Sequence, residues 1–282
     1  MKPPYEITAY ILSLVSSISE KIGAVNATFL NKPSPQLRKQ NKIKTIHASL
    51  QIEGNTLSQE QITALIENKR VVGSQKDVLE VLNAIKVYEN LHKFSAYSAK
   101  SFLSAHKLLM RNLIEKPGRY RSRSVEVVQG AEVAHLAPPA ENVLYLMDDL
   151  FKYLKSEKEL TLIKSCVFHY EMEFIHPFLD GNGRMGRLWQ TVILMKSYAV
   201  FEYLPFETLI SQTQEAYYKA LSACDKSGKS TAFIEYMLQV IDKSLAGLLS
   251  YNKRIFTKKD RLEIFCSLGK RRIYPENLYG SI

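Results

Sequence analysis

Twelve consecutive residues hold most of the chemistry this chain could perform: His176-Pro177-Phe178-Leu179-Asp180-Gly181-Asn182-Gly183-Arg184-Met185-Gly186-Arg187. Two glycines flank Asn182 directly ahead of an apolar helical stretch. Such a turn can aim successive backbone N–H groups into one concavity at the positive end of the helix. Gly181, Asn182 and Gly183 therefore describe an anion hole. Arg184 and Arg187, three apart, project from neighbouring positions on the first helical turn. Two guanidinium forks over a nest of N–H groups suit a chain of phosphates better than a single carboxylate. Asp180 adds the carboxylate that a Mg²⁺–polyphosphate complex requires. His176 is the residue able to take a proton from an incoming hydroxyl near neutral pH. No third protein ligand joins His176 and Asp180, so no structural metal is expected. Each part has an ordinary counterpart, since His beside Pro is frequently structural and Asp-Gly and Asn-Gly are common turns. Their crowding between two buried helices argues for a site.

The elements that must position these residues are nearly all helical. Ile11, Leu14, Ile18, Ile22 and Val25 recur at three and four, which marks an amphipathic first helix. Lys32-Pro33-Ser34-Pro35 breaks it. Ile43, Ile46 and Leu50 resume the period until Gly54-Asn55 stops it. A short helix follows within Thr56 to Asn68, capped by Thr56 or Ser58. Val78, Leu82, Ile85 and Tyr88 mark the next, then Phe102, Ala105, Leu109 and Leu113. Pro117-Gly118 ends that one. Ser124-Val125-Glu126-Val127 alternates like a strand, with Val128-Gln129-Gly130 to turn it, which is the best β signal in the chain. Val143, Met147, Leu150 and Leu154 return to the helical period. Leu160, Ile163, Val167, Tyr170 and Phe174 predict a helix with one buried face ahead of His176, and Leu188, Val192 and Met195 another after Gly183. Phe206 to Leu221 and Phe233 to Leu245 continue in the same way. The fold class expected is all-α with one small β-hairpin, and the main core spans about 75 to 225.

Composition narrows the class. The 282 residues carry 38 Lys plus Arg against 28 Asp plus Glu, a net charge of +10, with 46% hydrophobic residues. That is the profile of a folded globule. No apolar run approaches the ~18 residues of a membrane span, and Met1-Lys2-Pro3-Pro4 does not open a signal segment. Cys166, Cys224 and Cys266 are widely spaced among apolar neighbours. They read as buried thiols in a reducing compartment, so a cytoplasmic location is expected. Residues 251–282 hold eight basic side chains (Lys253, Arg254, Lys258, Lys259, Arg261, Lys270, Arg271, Arg272) against three acids. A phosphate-rich partner or a merely solvated basic end both fit.

The string His-Pro-Phe-x-Asp-Gly-Asn-Gly-Arg-x-x-Arg at 176–187 resembles the signature of Fic domain proteins, the Fic/DOC family, without a departure. The resemblance implies a helical fold and an activity, transfer of AMP from ATP to a protein hydroxyl (AMPylation, or adenylylation). It implies His176 as general base, Asp180 as the residue positioning Mg²⁺, and Asn182 with the glycine amides as the α-phosphate anion hole. Arg184 would address the β-phosphate region and Arg187 the γ-phosphate. Ser49-Leu50-Gln51-Ile52-Glu53-Gly54-Asn55 is similar to the family's inhibitory signature Ser/Thr-x-x-x-Glu-Gly/Asn, as in the subclass with an N-terminal inhibitory helix. A carboxylate near a helix C-terminus is disfavoured unless a cation pairs with it. Arg187 would be that cation, and a Glu53–Arg187 pair would occupy the fork needed by the γ-phosphate. Ser49, one turn earlier, would help to hold the helix.

The resemblance covers roughly residues 5 to 250. It extends to Pro117-Gly118-Arg119-Tyr120-Arg121 and the segment through Gly130. There it implies a target-docking β-hairpin flap over Ser124, Val125, Glu126, Val127 and Val128, a strand edge able to hold an extended peptide. Tyr217 and Tyr218 stand where the family has its adenine-side helix. Either could stack on a base, and a core aromatic fits as well. On this basis the chain divides into an N-terminal helical region at 1–70 with its inhibitory helix at about 43–54, a catalytic core at 71–225, and a C-terminal helical extension with a basic tail at 226–282.

The leading expectation is a protein adenylyltransferase using ATP and Mg²⁺ on a Tyr, Thr or Ser hydroxyl of a target protein, with Glu53 as its brake. Absence of a Gly-x-x-x-x-Gly-Lys-Ser/Thr loop agrees with cleavage at the α-phosphate. Three rivals stay open. One is removal of AMP, or both reactions in one enzyme, with Glu53 positioning a water. Another is transfer of a different phosphate-containing group. The last is a nucleic-acid or partner-binding regulator acting through the basic end, although some thirty residues after 250 are too few for the winged-helix module of many relatives. Self-modification and a homodimer are further open partners, and no membrane partner is expected.

Overall fold

The computed structural model describes residues 2–27, 34–129, 132–156 and 158–270, with side chains described except at 126–136 and 251–270. Helix α1 (Ala9–Ala27) buries Ile11, Leu14, Ile18, Ile22 and Val25, the face its spacing predicts. It packs along the last described helix, α11 (Thr231–Lys270).

Helix α2 (Pro35–Ile52) begins at Ser34, whose hydroxyl accepts from the Leu37 N–H at 3.2 Å, with Pro35 at a position where no N–H is needed. Its end is sharply defined. Gly54 takes φ 87°, its N–H bonds Gln51 O, and the Asn55 N–H reaches back to Leu50 O. Those two bonds satisfy the last carbonyls of the helix and leave Glu53 as its C-cap. Helix α3 (Gln59–Ile66) has Ser58 and Gln61 capping each other reciprocally.

Helix α4 (Gln75–Glu89) departs from its apolar reading. Of the four apolar positions read there Ile85 is buried, whereas Val78, Leu82 and Tyr88 are only half-buried, and the inner face runs through Glu80, Val81, Asn83, Ala84, Ile85 and Val87. Two polar side chains turn inward because they have partners there: Glu80 meets Arg184, and Asn83 Nδ2 donates to Arg111 O at 2.8 Å. Helices α5 (Ala99–Leu109) and α6 (Ala140–Leu154) follow, with Val143, Met147, Leu150 and Leu154 buried as expected.

The centre is α7 (Thr161–Ile175) packed on α8 (Asn182–Met195). One buried face was expected for α7; instead it is buried nearly all round, with Lys164, Ser165 and His169 enclosed beside Cys166, Val167 and Phe168. Leu160 precedes the helix and is 53% exposed. Helices α9 (Glu207–Gln212) and α10 (Gln214–Ser227) then pack against α2 and α11. Phe102 stacks on Phe178 at 5.4 Å, and Trp189 meets Phe102 edge-on at 5.0 Å. This aromatic wedge sits directly behind the loop between α7 and α8.

The fold is all-α, and the β-hairpin flap read over Ser124–Val128 is corrected. Strand β1 is Glu126–Gln129, so Ser124 and Val125 lie before it, and it pairs antiparallel with β2 (Glu132–Leu136). The register slips between Val127 and Val128, which places Val128 inside an irregular pair rather than in a turn. Gly130 lies outside the described residues, so no closed hairpin is described. The alternation of Ser124–Val127 misled because Val125 pairs with nothing in the ladder.

Cys166 and Cys224 are buried free thiols. Among the described residues no helix is long and apolar enough to cross a membrane. Helix α11 runs on past position 250, but its basic side chains Lys253, Arg254, Lys258, Lys259, Arg261 and Lys270, and Cys266, lie outside the described side chains. Arg271 and Arg272 lie outside the described residues altogether.

Candidate active site

The site is built where α7 stops and α8 starts. His176 caps α7 in the left-handed region (φ 50°, ψ 60°), with its N–H still bonded to Met172 O at 3.0 Å. Pro177 follows, and a residue before proline is disfavoured in the right-handed helix region, so the chain must turn here. The loop is closed from within by Asn182. Its Oδ1 accepts from the Phe178 N–H, and its Nδ2 donates to Phe178 O, both at 2.9 Å. The Asn182 amide is thus spent on loop closure, and what it offers an anion is its backbone N–H.

Gly181 is the N-cap of α8 at φ 87°, a backbone that side chains rarely adopt. The first intrahelical bond runs from Met185 N–H to Gly181 O. The amides of Asn182, Gly183 and Arg184 therefore precede the ladder and have no intrahelical acceptor. They form the positive end expected for an anion hole.

The two arginines are both nearly buried and both engaged. Arg184, 5% exposed, donates from Nη1 to Glu80 Oε1 at 3.0 Å and from Nη2 to Asp180 Oδ1 at 2.8 Å. Asn55 Nδ2 donates to the other oxygen of Glu80 at 2.8 Å, so Glu80 ties the end of α2 to Arg184. Arg187 is 1% exposed. Its Nε donates to Ser49 Oγ at 3.1 Å, and its Nη2 donates to Ser49 O at 2.9 Å and to Glu53 Oε1 at 2.7 Å. Burial works against the Arg187 charge, and the Glu53 carboxylate outweighs it, so the guanidinium is held charged. A Cβ on Gly183 would lie 2.5 Å from Glu53 Oε1 and 3.1 Å from Arg187 Nη1. The Glu53 carboxylate therefore rests on the first turn of α8, against the positive helix end, and Gly54 frees the chain to turn away behind it.

Other groups brace the loop. His106 accepts the Gly118 N–H on Nδ1 at 2.8 Å, so Nε2 carries the hydrogen and donates to Asp180 O at 3.0 Å. The ring stacks on Phe178 at 3.6 Å, and burial pushes its pKa down to about 4, which keeps it neutral. Behind α8, His169 Nδ1 donates to Gln190 Oε1 at 2.7 Å, and its Nε2 accepts from the Tyr217 hydroxyl at 3.1 Å. Glu173, on the same side, is pushed up to about 8 by burial, with Arg187 pulling it down and Glu53 pushing it up. Gly186 leaves room for both, since a Cβ there would lie 2.6 Å from Glu173 Oε1 and from His169 Cδ2.

The structure thus gathers His176, Asp180, Gly181, Asn182, Gly183, Arg184, Arg187, Ser49, Glu53 and Gly54 in one place. It sets Tyr217 apart. That ring is 2% exposed and packed between Phe233 and Tyr236, so it is a core aromatic with no face to offer a base. Tyr218 beside it is half-buried, its hydroxyl 3.4 Å from Gln214 Nε2. Ser124 is exposed and Val125 half-buried. Glu80, His106, Arg121, His169 and Glu173 were missed. Their only signal is a polar side chain on the inner face of a helix or after a Pro-Gly turn, which has meaning once the partner is known.

An N–H nest, two arginines and a histidine stand together at one helix junction of this domain. The Fic/DOC family profile matches residues 96–194, which contain this junction. A solved structure of a Fic family protein from Desulfovibrio desulfuricans G20 is 46% identical, superposes with a TM-score of 0.86, and aligns over 89% of this chain and 78% of that one. The chain belongs to the Fic family. It is also 27% identical over 243 residues to protein adenylyltransferase fic-1 of Caenorhabditis elegans, and 25% over 241 residues to protein adenylyltransferase Fic of Drosophila mojavensis. These matches take in 82% of this chain but only 44% and 46% of those proteins, so the chain spans about half the length of the curated relatives it matches.

Proposed function

We propose that this chain is a protein adenylyltransferase held in a resting state by its own α2 helix, as in the subclass with an N-terminal inhibitory helix. The observation that carries the reading is the seat of Glu53 on Arg187 and Gly183, which occupies with a carboxylate the place where the nucleotide's terminal phosphate would go. The division into 1–70, 71–225 and 226–282 belongs to the same reading, with α2 as the regulatory piece and 71–225 as the catalytic core.

In the active arrangement Glu53 leaves, Arg187 takes the γ-phosphate, and the amides of Asn182 and Gly183 hold the α-phosphate at the helix end. Arg184, steadied by Glu80, faces the β-phosphate. The oxygen of a target hydroxyl attacks the α-phosphorus, the bond to pyrophosphate breaks, and AMP remains on the protein. His176 takes the hydroxyl proton. Its Nδ1 lies 3.4 Å from Glu173 O, a contact that directs the ring hydrogen to Nδ1 and the lone pair to Nε2.

The residues present fit a magnesium ion. Among the described residues no group of three or more His, Cys, Asp or Glu gathers as a metal site, whereas the Asp180 side chain is 49% exposed at the mouth with Oδ1 on Arg184. One carboxylate completed by substrate phosphates is the usual arrangement for Mg²⁺. When bound, the ion supplies positive charge against that developing on the phosphates. Asp180 would hold it, and Arg184 keeps Asp180 in place.

A second reading gives Glu53 a chemical role, aligning a water to remove AMP from a modified target. Its support is that Glu53 lies directly over Gly183 while its side chain stays 29% exposed. The two readings separate on an AMP-modified substrate: Glu53→Gly gains transfer under the first and loses removal under the second.

A further inference from the structure

We propose that Arg121 is the positioning residue of His176. The inference rests on the reading of His176 as the base and adds what holds that base in place. Arg121 is 4% exposed. Its Nε donates to His176 O at 2.8 Å, and its Nη2 donates to Ile175 O at 3.2 Å and also to Pro138 O. Nη1 donates to Arg123 O at 3.0 Å, and the backbone N–H of Arg121 donates to Pro177 O at 2.8 Å. Every one of these acceptors is a main-chain carbonyl.

Three consecutive carbonyls, of Ile175, His176 and Pro177, are thus bound by one residue at the point where α7 ends. The terminal carbonyls of a helix lack intrahelical donors, and a cation there also meets the negative helix end. His176 needs this support. A left-handed backbone is costly for a non-glycine residue and persists where its surroundings over-determine it. The φ and ψ of His176 decide where its imidazole points, so the group that pins its carbonyl also aims its ring.

The same guanidinium reaches the chain before β1 at Arg123 and after β2 at Pro138. Both ends of the intervening segment are therefore fastened to the guanidinium that holds the His176 carbonyl. A planar fork can serve carbonyls in several directions at once; an ammonium on a flexible stem cannot reproduce that span.

The test uses Arg121→Met and Arg121→Lys in the full chain, each carrying Glu53→Gly, with kcat and KM for ATP and hydrogen exchange along the chain. A misplacement of the base predicts a loss in kcat of about 100-fold with KM for ATP nearly unchanged. Faster exchange should be confined to 122–129, 132–138 and 174–178. Millimolar guanidinium should restore part of the kcat of Arg121→Met, and Arg121→Lys should fall between the two. Unchanged kcat overturns the proposal, and so does a loss with exchange accelerated throughout the core and no guanidinium effect, which marks a folding role alone. Should the Glu53→Gly parent transfer no AMP, the adenylyltransferase reading fails by itself and the exchange pattern decides: confined acceleration sustains the clamp, and uniform or absent acceleration overturns it.

Discussion

Glu53 Oε1 and Arg187 Nη2 meet at 2.7 Å across 134 residues of sequence, one at the C-cap of α2 and the other in the second turn of α8. Arg187 is 1% and Glu53 29% exposed on their side chains, so the pair lies at the edge of the interior. Removing one partner of a buried pair leaves a costly lone charge. Under the proposed function the pair is both a brake and a structural tie, and its two roles would part when the nucleotide arrives with its own negative charge.

Glu53→Gly is expected to raise AMP transfer about 10- to 100-fold, the gain from freeing one contested arginine fork. Ser49→Ala should raise it less, because Arg187 keeps its bond to the Ser49 carbonyl. Initial rates of AMP incorporation measure both. Equal rates in wild type and Glu53→Gly would contradict the brake.

The tie predicts a stability signature. Without nucleotide, Glu53→Gly should melt lower than wild type, because Arg187 loses its counter-ion. Mg·ATP should then raise the melting temperature of the variant more than that of wild type. A variant insensitive to Mg·ATP would show that Arg187 does not receive the nucleotide.

Glu80 is expected to matter as much for folding as for the site. It joins Arg184 on one oxygen and Asn55 on the other. Glu80→Ala would leave Arg184 with Asp180 alone, at a cost on the order of 3 kcal/mol. A denaturant titration should show the loss, and an unchanged midpoint would mean that Arg184 finds another partner. Gly186→Ala should destabilise too, by about 1–3 kcal/mol, since its methyl group would press on His169 and Glu173.

Two fully buried acids contribute most to the pH dependence, beside Glu171, which burial pushes up to about 7. Burial pushes Glu207 and Glu173 each up to about 8, against about 4.3 for an unfolded glutamate. The folded state therefore holds more protons between those values. Stability is full below the lower value and declines as pH rises through the upper one. The melting temperature should fall from pH 6 to pH 9. Glu207→Gln should flatten that slope, and an identical slope in the variant would show that Glu207 does not titrate there.

Much of this architecture was legible from apolar spacing. Helix α1 follows it residue by residue, and the apolar positions read in α2 and α6 are all buried, although Asn41, Thr45 and Ser49 join the inner face of α2. It failed where polar residues are buried for a reason lying elsewhere in the chain. Helix α4 turned Glu80 and Asn83 inward toward Arg184 and Arg111, and α7 proved enclosed because α8 and α11 cover the sides its sequence left ambiguous. In the site, His176 to Arg187 could be named because loop, N–H nest and arginines are contiguous. The motif could not reveal that Asn182 spends its amide on Phe178, or that Arg184 is shared by two carboxylates. Tyr217 shows the converse: its neighbours in sequence suggest a ligand helix, and its neighbours in space are Phe233, Tyr236 and His169.

The most direct measurement is intact mass after incubating wild-type, Glu53→Gly and His176→Ala/Glu53→Gly proteins with Mg²⁺, ATP and a lysate that supplies targets. A gain of one AMP on protein hydroxyls is expected with Glu53→Gly, little with wild type and none once His176 is lost. AMP transfer that survives the loss of His176, or that is no greater without Glu53 than with it, would contradict the account.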